Sequence, residues 1–441
     1  MPAVHVAAGV RFVILSSGRS VRAEDGVVAV PSSDPRVAEY VAAGKLIVDN
    51  PATEPAPGLW APLPSVESTG VARDRSRRAD ATPTLLSSPP TYTGPSAANA
   101  ATGIASGKDY PTVVNGAPGG RFIYLGRHVV SGTYVKAANL SSVGWAGITR
   151  IECMTDAPIF ELVMRSGGVY RIRVDGQLIE AGNARADVGT VSRYRHLLDF
   201  TAAGGSKPRR VTFEGYGAEL EAVRVGAAYS VWPSVIGGPK LVVVGDSFVA
   251  GTPNVPLSQG RELAAYGYAL GPLIGCPRTV PQGVPATGLV ATNNGTRPTY
   301  LDRLAETVAE KPDILLVHGS INDGPFAAQA QAATAAYLSA ARAALPNALI
   351  VVTSPVNELA AANYTTLRDG MKTAADAAGV PFIDILTRWT GTGREGATVG
   401  DGNRDRYLGT DAKHPSYDGA QWYAQTLAGE LEPILLTSRF A

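Results

Sequence analysis

The sequence predicts an α/β protein in which a doubly wound parallel sheet at the C-terminus follows a jelly-roll-like β-sandwich and a small N-terminal module. Three observations carry the prediction. From residue 240 onward, predominantly apolar runs at 241–244, 314–317, 349–353 and 381–385 alternate with helical stretches near 259–273, 327–344 and 364–378, the pattern of βαβ units. Between about 108 and 233 the runs are shorter and separated by Gly, Asn and Ser, as in a sandwich. Ahead of them lies a stretch dominated by Pro, Ser, Thr and Ala, a linker composition.

Bulk properties narrow the class. A chain of 441 residues exceeds one ordinary domain. With 45% hydrophobic and 17% charged residues it reads as globular. A net charge of +1 gives no whole-protein attraction to nucleic acid or anionic lipid, and no window has the apolar length of a membrane span. The N-terminus lacks a basic segment followed by a long apolar run, so synthesis in the cytoplasm without a cleaved signal peptide is expected. Cys153 and Cys276 stand far apart, which argues against a disulfide framework or a metal cluster.

In chain order, residues 1–50 read as a small module: strands at 10–15 and 26–30, then a short helix that Asp34 would cap, Pro35 would open and Gly44 would close. Residues 51–107 form the expected linker. The basic cluster Arg73, Arg75, Arg77 and Arg78 inside it has no interleaved aromatic residues and reads as solvated. The sandwich is placed at 108–235, with strands at 121–125, 160–164, 168–174 and 210–214. In the third of these Tyr170, Ile172 and Val174 fall on one face and Arg171 and Arg173 on the other. The α/β domain takes 240–441, entered through the run KLVVVGDSFV at 240–249. A β-branched run of this kind suits a strand buried on both faces of a parallel sheet. Gly245 then permits a tight turn at the strand's carboxyl end, where open α/β sheets place their chemistry.

That turn carries Ser247. Serine is a nucleophile only when a base takes its proton and a third group fixes the base. Asp411 lies three residues before His414, close enough on one turn to reach Nδ1 and leave Nε2 for the serine. Of the five histidines, His318 ends an apolar strand and reads as a core residue, whereas His414 precedes the last helix on a loop. Asn322, just past the strand at 314–317, reaches the same sheet edge and suits donation to a developing oxyanion.

These residues resemble the SGNH hydrolase superfamily, the GDSL-type esterases and lipases. Gly245-Asp246-Ser247 matches its first block, Asn322-Asp323 its third and Asp411-Ala412-Lys413-His414 its last, over about residues 240–437. The resemblance implies Ser247 as nucleophile and, through its N–H, oxyanion donor. It implies Asn322 as a second donor, His414 as general base and Asp411 as its orienting partner, with no metal or organic cofactor. The third block here carries Ser320 where Gly is usual. For the second block, within 282–288, Pro285 has no N–H, so the donor falls to Gly288, or else Gly283.

A sandwich ahead of such a domain is similar to the two-domain carbohydrate esterases that remove acetyl groups from polysaccharides, and residues 1–50 resemble small modules of tailed-phage structural proteins. Together these imply a serine esterase removing O-acetyl groups from a cell-surface polysaccharide as part of a phage particle, with virion proteins as partners of the N-terminal module and with no nucleic-acid partner. The alternatives are a lipase or thioesterase on the same triad, or a non-catalytic receptor-binding virion protein.

Overall fold

The computed structural model describes residues 103–126, 128–137, 148–165, 169–179, 194–234, 238–251, 255, 261–356 and 362–437, with isolated strand segments at 3–6, 12–14, 20–22, 27–29, 46–48, 91–93 and 185–186. In the N-terminal module, Ala3–Val6 pairs antiparallel with both Val27–Ala29 and Leu46–Val48, and Phe12–Ile14 pairs with Ser20–Arg22. The helix expected after Asp34 and the basic cluster at 73–78 lie outside the described residues.

Two antiparallel sheets form the sandwich. One runs in the order Ile123–Gly126, Ile148–Thr155, Arg209–Tyr216, Val169–Val174, Gln177–Leu178. The other includes Tyr134–Ala137, Glu219–Gly226, Ile159–Arg165, Tyr194–Asp199 and, at its edge, Thr91–Thr93. The sandwich therefore starts inside the segment expected as linker. Thr91–Thr93 is too short to read as a strand alone, and its pairing with Leu197, Leu198 and Asp199 is what makes it one. Phe160, Leu162 and Val223 from one sheet meet Ile151, Tyr170, Ile172 and Phe213 from the other in a single core.

The expected alternation at 170–174 holds, with a difference on the outer face. Arg171 and Arg173 do not face water. Glu214, directly opposite Arg171 on one side and Arg150 on the other, pairs with Arg171, with Arg150 at 2.8 Å and with Arg173 at 3.1 Å. Burial pushes the Glu214 carboxyl up, but the three guanidinium charges outweigh it and hold it well below the carboxylate range.

The C-terminal domain holds five parallel strands: β1 (Lys240–Gly245), β2 (Arg278–Gly283), β3 (Ile314–Val317), β4 (Leu349–Thr353) and β5 (Phe382–Ile383), in the order β2-β1-β3-β4-β5. Leu241 to Val244 and Ile314 to Val317 are wholly buried, as a doubly covered sheet requires. Around it pack α1 (Ser247–Ala250), α2 (Tyr266–Leu273), α3 (Leu304–Ala309), α4 (Ala330–Ala344), α5 (Ala362–Ala377) and α6 (Tyr417–Thr437). Sequence reading does not find β2, whose Pro281 breaks the apolar run. As the edge strand it needs no outward N–H, so proline is tolerated.

The two domains share a packed boundary. Ile148 and Val169 of the sandwich cluster with Leu263 and Tyr268 of the α/β domain. Leu125 joins the α/β core, and the Arg150 Nη1 donates to the Pro277 carbonyl at 3.0 Å. Cys153 and Cys276 are free and buried, one on each side. Among the described residues no helix is long and apolar enough to cross a membrane.

Candidate active site

β1 ends at Gly245, where an added Cβ would lie 2.1 Å from the Val249 side chain. Only glycine lets α1 fold back this tightly on the strand. Asp246 caps α1, its Oδ1 accepting from the Phe248 N–H at 2.9 Å. Its Oδ2 accepts from Ser320 Oγ at 2.7 Å and from Asn322 Nδ2 at 3.3 Å. Asp246 thus ties the nucleophile turn to the loop after β3. Ser247 is the first residue of α1, where backbone N–H groups have no intrahelical acceptor.

His414 reaches this turn from 167 positions away. Its Nε2 lies 2.8 Å from Ser247 Oγ and its Nδ1 2.6 Å from Asp411 Oδ2. Asp411 accepts the Nδ1 proton, which leaves Nε2 as acceptor for the serine hydroxyl. The other Asp411 oxygen accepts the backbone N–H groups of Lys413 and His414, each at 3.0 Å. The carboxylate therefore holds both the ring and the turn that carries it. Burial pushes the Asp411 carboxyl up, but the His414 side chain and the two amides more than offset this and keep it below the usual range.

Asn322 opens the turn after β3, half-buried. Its Nδ2 faces the Thr287 carbonyl at 3.2 Å and Ser320 Oγ at 3.1 Å as well as Asp246. Ser320, where glycine is usual, caps this turn: its Oγ accepts from the Asn322 N–H at 3.0 Å, and its single hydroxyl proton lies between Asp246 Oδ2 and the Thr287 carbonyl, both at 2.7 Å. Asp323 is wholly buried and does something the sequence does not announce. Its two oxygens accept three successive amides, from Leu289 (2.8 Å), Val290 (3.0 Å) and Ala291 (2.8 Å). It clamps the loop after β2 against the loop after β3. Asp323→Ala is expected to lower stability by on the order of 2–3 kcal/mol and to lower kcat more than it changes KM, measurable by urea unfolding and steady-state kinetics.

Gly288 does not supply an oxyanion donor. Its N–H donates to the Ala291 carbonyl at 3.0 Å. Glycine is needed there because a Cβ would fall 2.2 Å from the Asp323 carboxylate. Gly283 is the close contact between β2 and α1, where a Cβ would meet the Ala250 nitrogen at 2.0 Å. Within this loop the Val284 N–H goes to the Gly245 carbonyl and those of residues 289–291 go to Asp323. Ala286 lies between Pro285 and Thr287 at φ 57°, a left-handed conformation that costs a non-glycine residue about 1 kcal/mol.

Two more buried groups complete the site. Arg303 donates to the carbonyls of Gly245 (2.6 Å) and Gln282 (2.5 Å), joining the carboxyl ends of β1 and β2. No motif marks it, because its role arises only from strand pairing. His318 is structural, as expected from sequence. It is wholly buried among Phe248, Tyr266 and Tyr423. Burial pushes its pKa down to about 4 against the pull of Asp246.

Beside Ser247 is a small pocket lined by Phe248, Gly251, Val255, Ala264, Ala265, Pro415 and Ala420, with about 10 Å3 of free space. That is room for about one water molecule. Among the described residues no cluster of His, Cys, Asp and Glu is arranged to hold a metal ion.

Residues 243–422 match the GDSL-like Lipase/Acylhydrolase family. No curated protein sequence matches the chain. Three solved structures share its fold. A family two carbohydrate esterase from Clostridium thermocellum in complex with cellohexaose is 15% identical, covering 71% of this chain and 99% of its own, with a TM-score of 0.53. An acetyl xylan esterase, Est2A, from the rumen bacterium Butyrivibrio proteoclasticus is 12% identical, covering 75% and 99%, with a TM-score of 0.54. The salicylyl-acyltransferase SsfX3 from a tetracycline biosynthetic pathway is 14% identical, covering 75% and 98%, with a TM-score of 0.55. Coverage of this size exceeds the family match, so the likeness takes in residues ahead of the α/β domain.

Proposed function

For a chain whose residues 243–422 form a GDSL/SGNH hydrolase domain, a serine ester hydrolase, we propose that the reaction is O-deacetylation of a carbohydrate. The observation that carries the acetyl part is the pocket beside Ser247. Its small apolar lining, with Ala264, Ala265 and Ala420 among its residues, suits a small acyl substituent such as a methyl group. The carbohydrate part is supported by the two esterases of like fold.

In this reading Ser247 Oγ attacks the acetyl carbonyl carbon while His414 Nε2 takes the hydroxyl proton, and Asp411 stabilises the imidazolium that forms. The carbonyl oxygen becomes an oxyanion facing the Ser247 N–H, with the Ala286 N–H and the Asn322 amide as the other proposed donors, Asn322 turning one N–H away from the Asp246, Thr287 and Ser320 oxygens it faces. Ala286 takes the part expected of Gly288. Collapse of the tetrahedral intermediate expels the sugar oxygen, which receives the proton from His414. A water molecule, deprotonated by His414, then attacks acetyl-Ser247 and releases acetate.

Acetate release from acetylated polysaccharides, with Ser247→Ala as control, tests the proposal. Serine-dependent release at least 10³-fold above the variant, on the order of what loss of a triad member costs, is expected. Faster turnover of long-chain than of acetyl esters would replace it with the lipase reading. Attachment of residues 1–50 to a phage particle is the part of the proposal supported by sequence resemblance alone. Mass spectrometry of purified particles checks it, and absence of the chain from them removes it.

A further inference from the structure

The wall of the acyl pocket is a thin element. Ala264 ends a single 3₁₀ turn, Arg261–Ala264, and Ala265 is the extended residue joining it to α2, with no side-chain cap. Short 3₁₀ turns have poorer hydrogen-bond geometry than α-helices, so packing behind this one contributes to its place. Successive side chains point in three directions. Ala264 and Ala265 line the pocket. Tyr266 turns into the α/β core, edge-on to Tyr423 at 4.6 Å. Leu263 and Tyr268 turn the other way, into a cluster with Ile148 and Val169 of the sandwich, with Tyr216 at its margin. Leu263 is 1% exposed, Ile148 2% and Val169 5%, so the contact is dry. Tyr268 also stands beside the Glu214–arginine network on the same sheet, close enough to feel its charges.

We propose that the β-sandwich sets the acyl-group selectivity of the site: Ile148 and Val169, acting through Leu263, are positioning residues for the Ala264–Ala265 wall. Close packing of Leu263 on Ile148 and Val169 behind a wall one short turn thick bears on the depth of the pocket in front of it. This inference rests on the ester-hydrolase reading above.

The test is the ratio of kcat/KM for 4-nitrophenyl acetate to that for 4-nitrophenyl butyrate, measured on the full chain. The wild type is expected to favour acetate. Ile148→Ala should let the wall retreat and lower the ratio by about tenfold, the scale of one methylene in a pocket, through a lower KM for butyrate. Val169→Ala should act in the same direction, and Ile148→Val should retain most of the wild-type ratio. Leu198→Ala is the control, because Leu198 is wholly buried in the sandwich interior and away from this boundary. It should lower the melting temperature without changing the ratio. If Ile148→Ala and Val169→Ala lose melting temperature as Leu198→Ala does while the ratio stays at its wild-type value, the proposal is overturned. If Ile148→Ala does not fold, Val169→Ala and Ile148→Val carry the same readout. A wild type that turns over neither ester overturns the ester-hydrolase reading first, and this inference with it.

Discussion

Replacing His414 by alanine is expected to lower kcat for ester hydrolysis by about four orders of magnitude or more, with the folded state preserved. The imidazole is the base within reach of Ser247 Oγ, at 2.8 Å, and without it the serine must ionise unaided near neutral pH. The turn that carries it does not depend on the ring, since Asp411 Oδ1 accepts the backbone N–H groups of residues 413 and 414 and the Gly409 N–H donates to the His414 carbonyl at 2.7 Å. Circular dichroism and melting temperature should therefore stay near wild type while activity is lost. Activity kept within tenfold would mean that another base serves Ser247. The Asp411 carboxyl is held below the ordinary carboxylate range, so its protonation does not limit the enzyme under mildly acidic conditions. Its stabilising contribution is present above the unfolded carboxylate value and lost as pH falls through the lower folded value.

The second large effect concerns stability. Glu214→Gln is expected to cost roughly 3–5 kcal/mol, as removal of one partner from a buried ionic cluster does. Glu214 is wholly buried and pairs with Arg150, Arg171 and Arg173. Its loss leaves three guanidinium groups to repel one another, with Glu152 near Arg150 as the remaining carboxylate. Urea unfolding at neutral pH measures the difference, and a loss under about 1 kcal/mol, the scale of an exposed pair, would show that water or rearranged side chains replace the carboxylate. The pH dependence has a definite sign. Because the folded Glu214 carboxyl is held below its unfolded value, its stabilisation is complete above the unfolded value and declines as pH falls through the folded one. The gap between wild type and variant should therefore narrow on acidification.

Much of the site is legible in the primary structure because its signals are local. An apolar β-branched run ending in Gly245-Asp246-Ser247 marks a strand and the turn at its carboxyl end. Asp411 and His414 are three residues apart, so one turn brings carboxylate and ring together. Asn322 follows another apolar strand, and in a parallel sheet all such strands end on one edge.

The remainder depends on register and on contacts between distant residues. By the family resemblance Gly288 reads as a donor, yet its N–H is spent within its own loop, and the requirement for glycine comes from the carboxylate of Asp323, far along the chain. Arg171 and Arg173 alternate as a solvated strand face would, yet strand pairing sets Glu214 between them and Arg150, with Tyr268 of the second domain close enough to feel their charges. Ala264 and Ala265 carry no chemical signature, and only the fold places them beside Ser247. The sequence by itself pointed to the residues that meet at the carboxyl edge of the parallel sheet, Ser247, Asp411 and His414, since turn geometry and strand burial are properties of short segments. Tertiary structure alone decided which loop amides are spent on Asp323 and on neighbouring carbonyls and which residues line the pocket beside Ser247, because each of these is set by packing between segments the chain order does not pair.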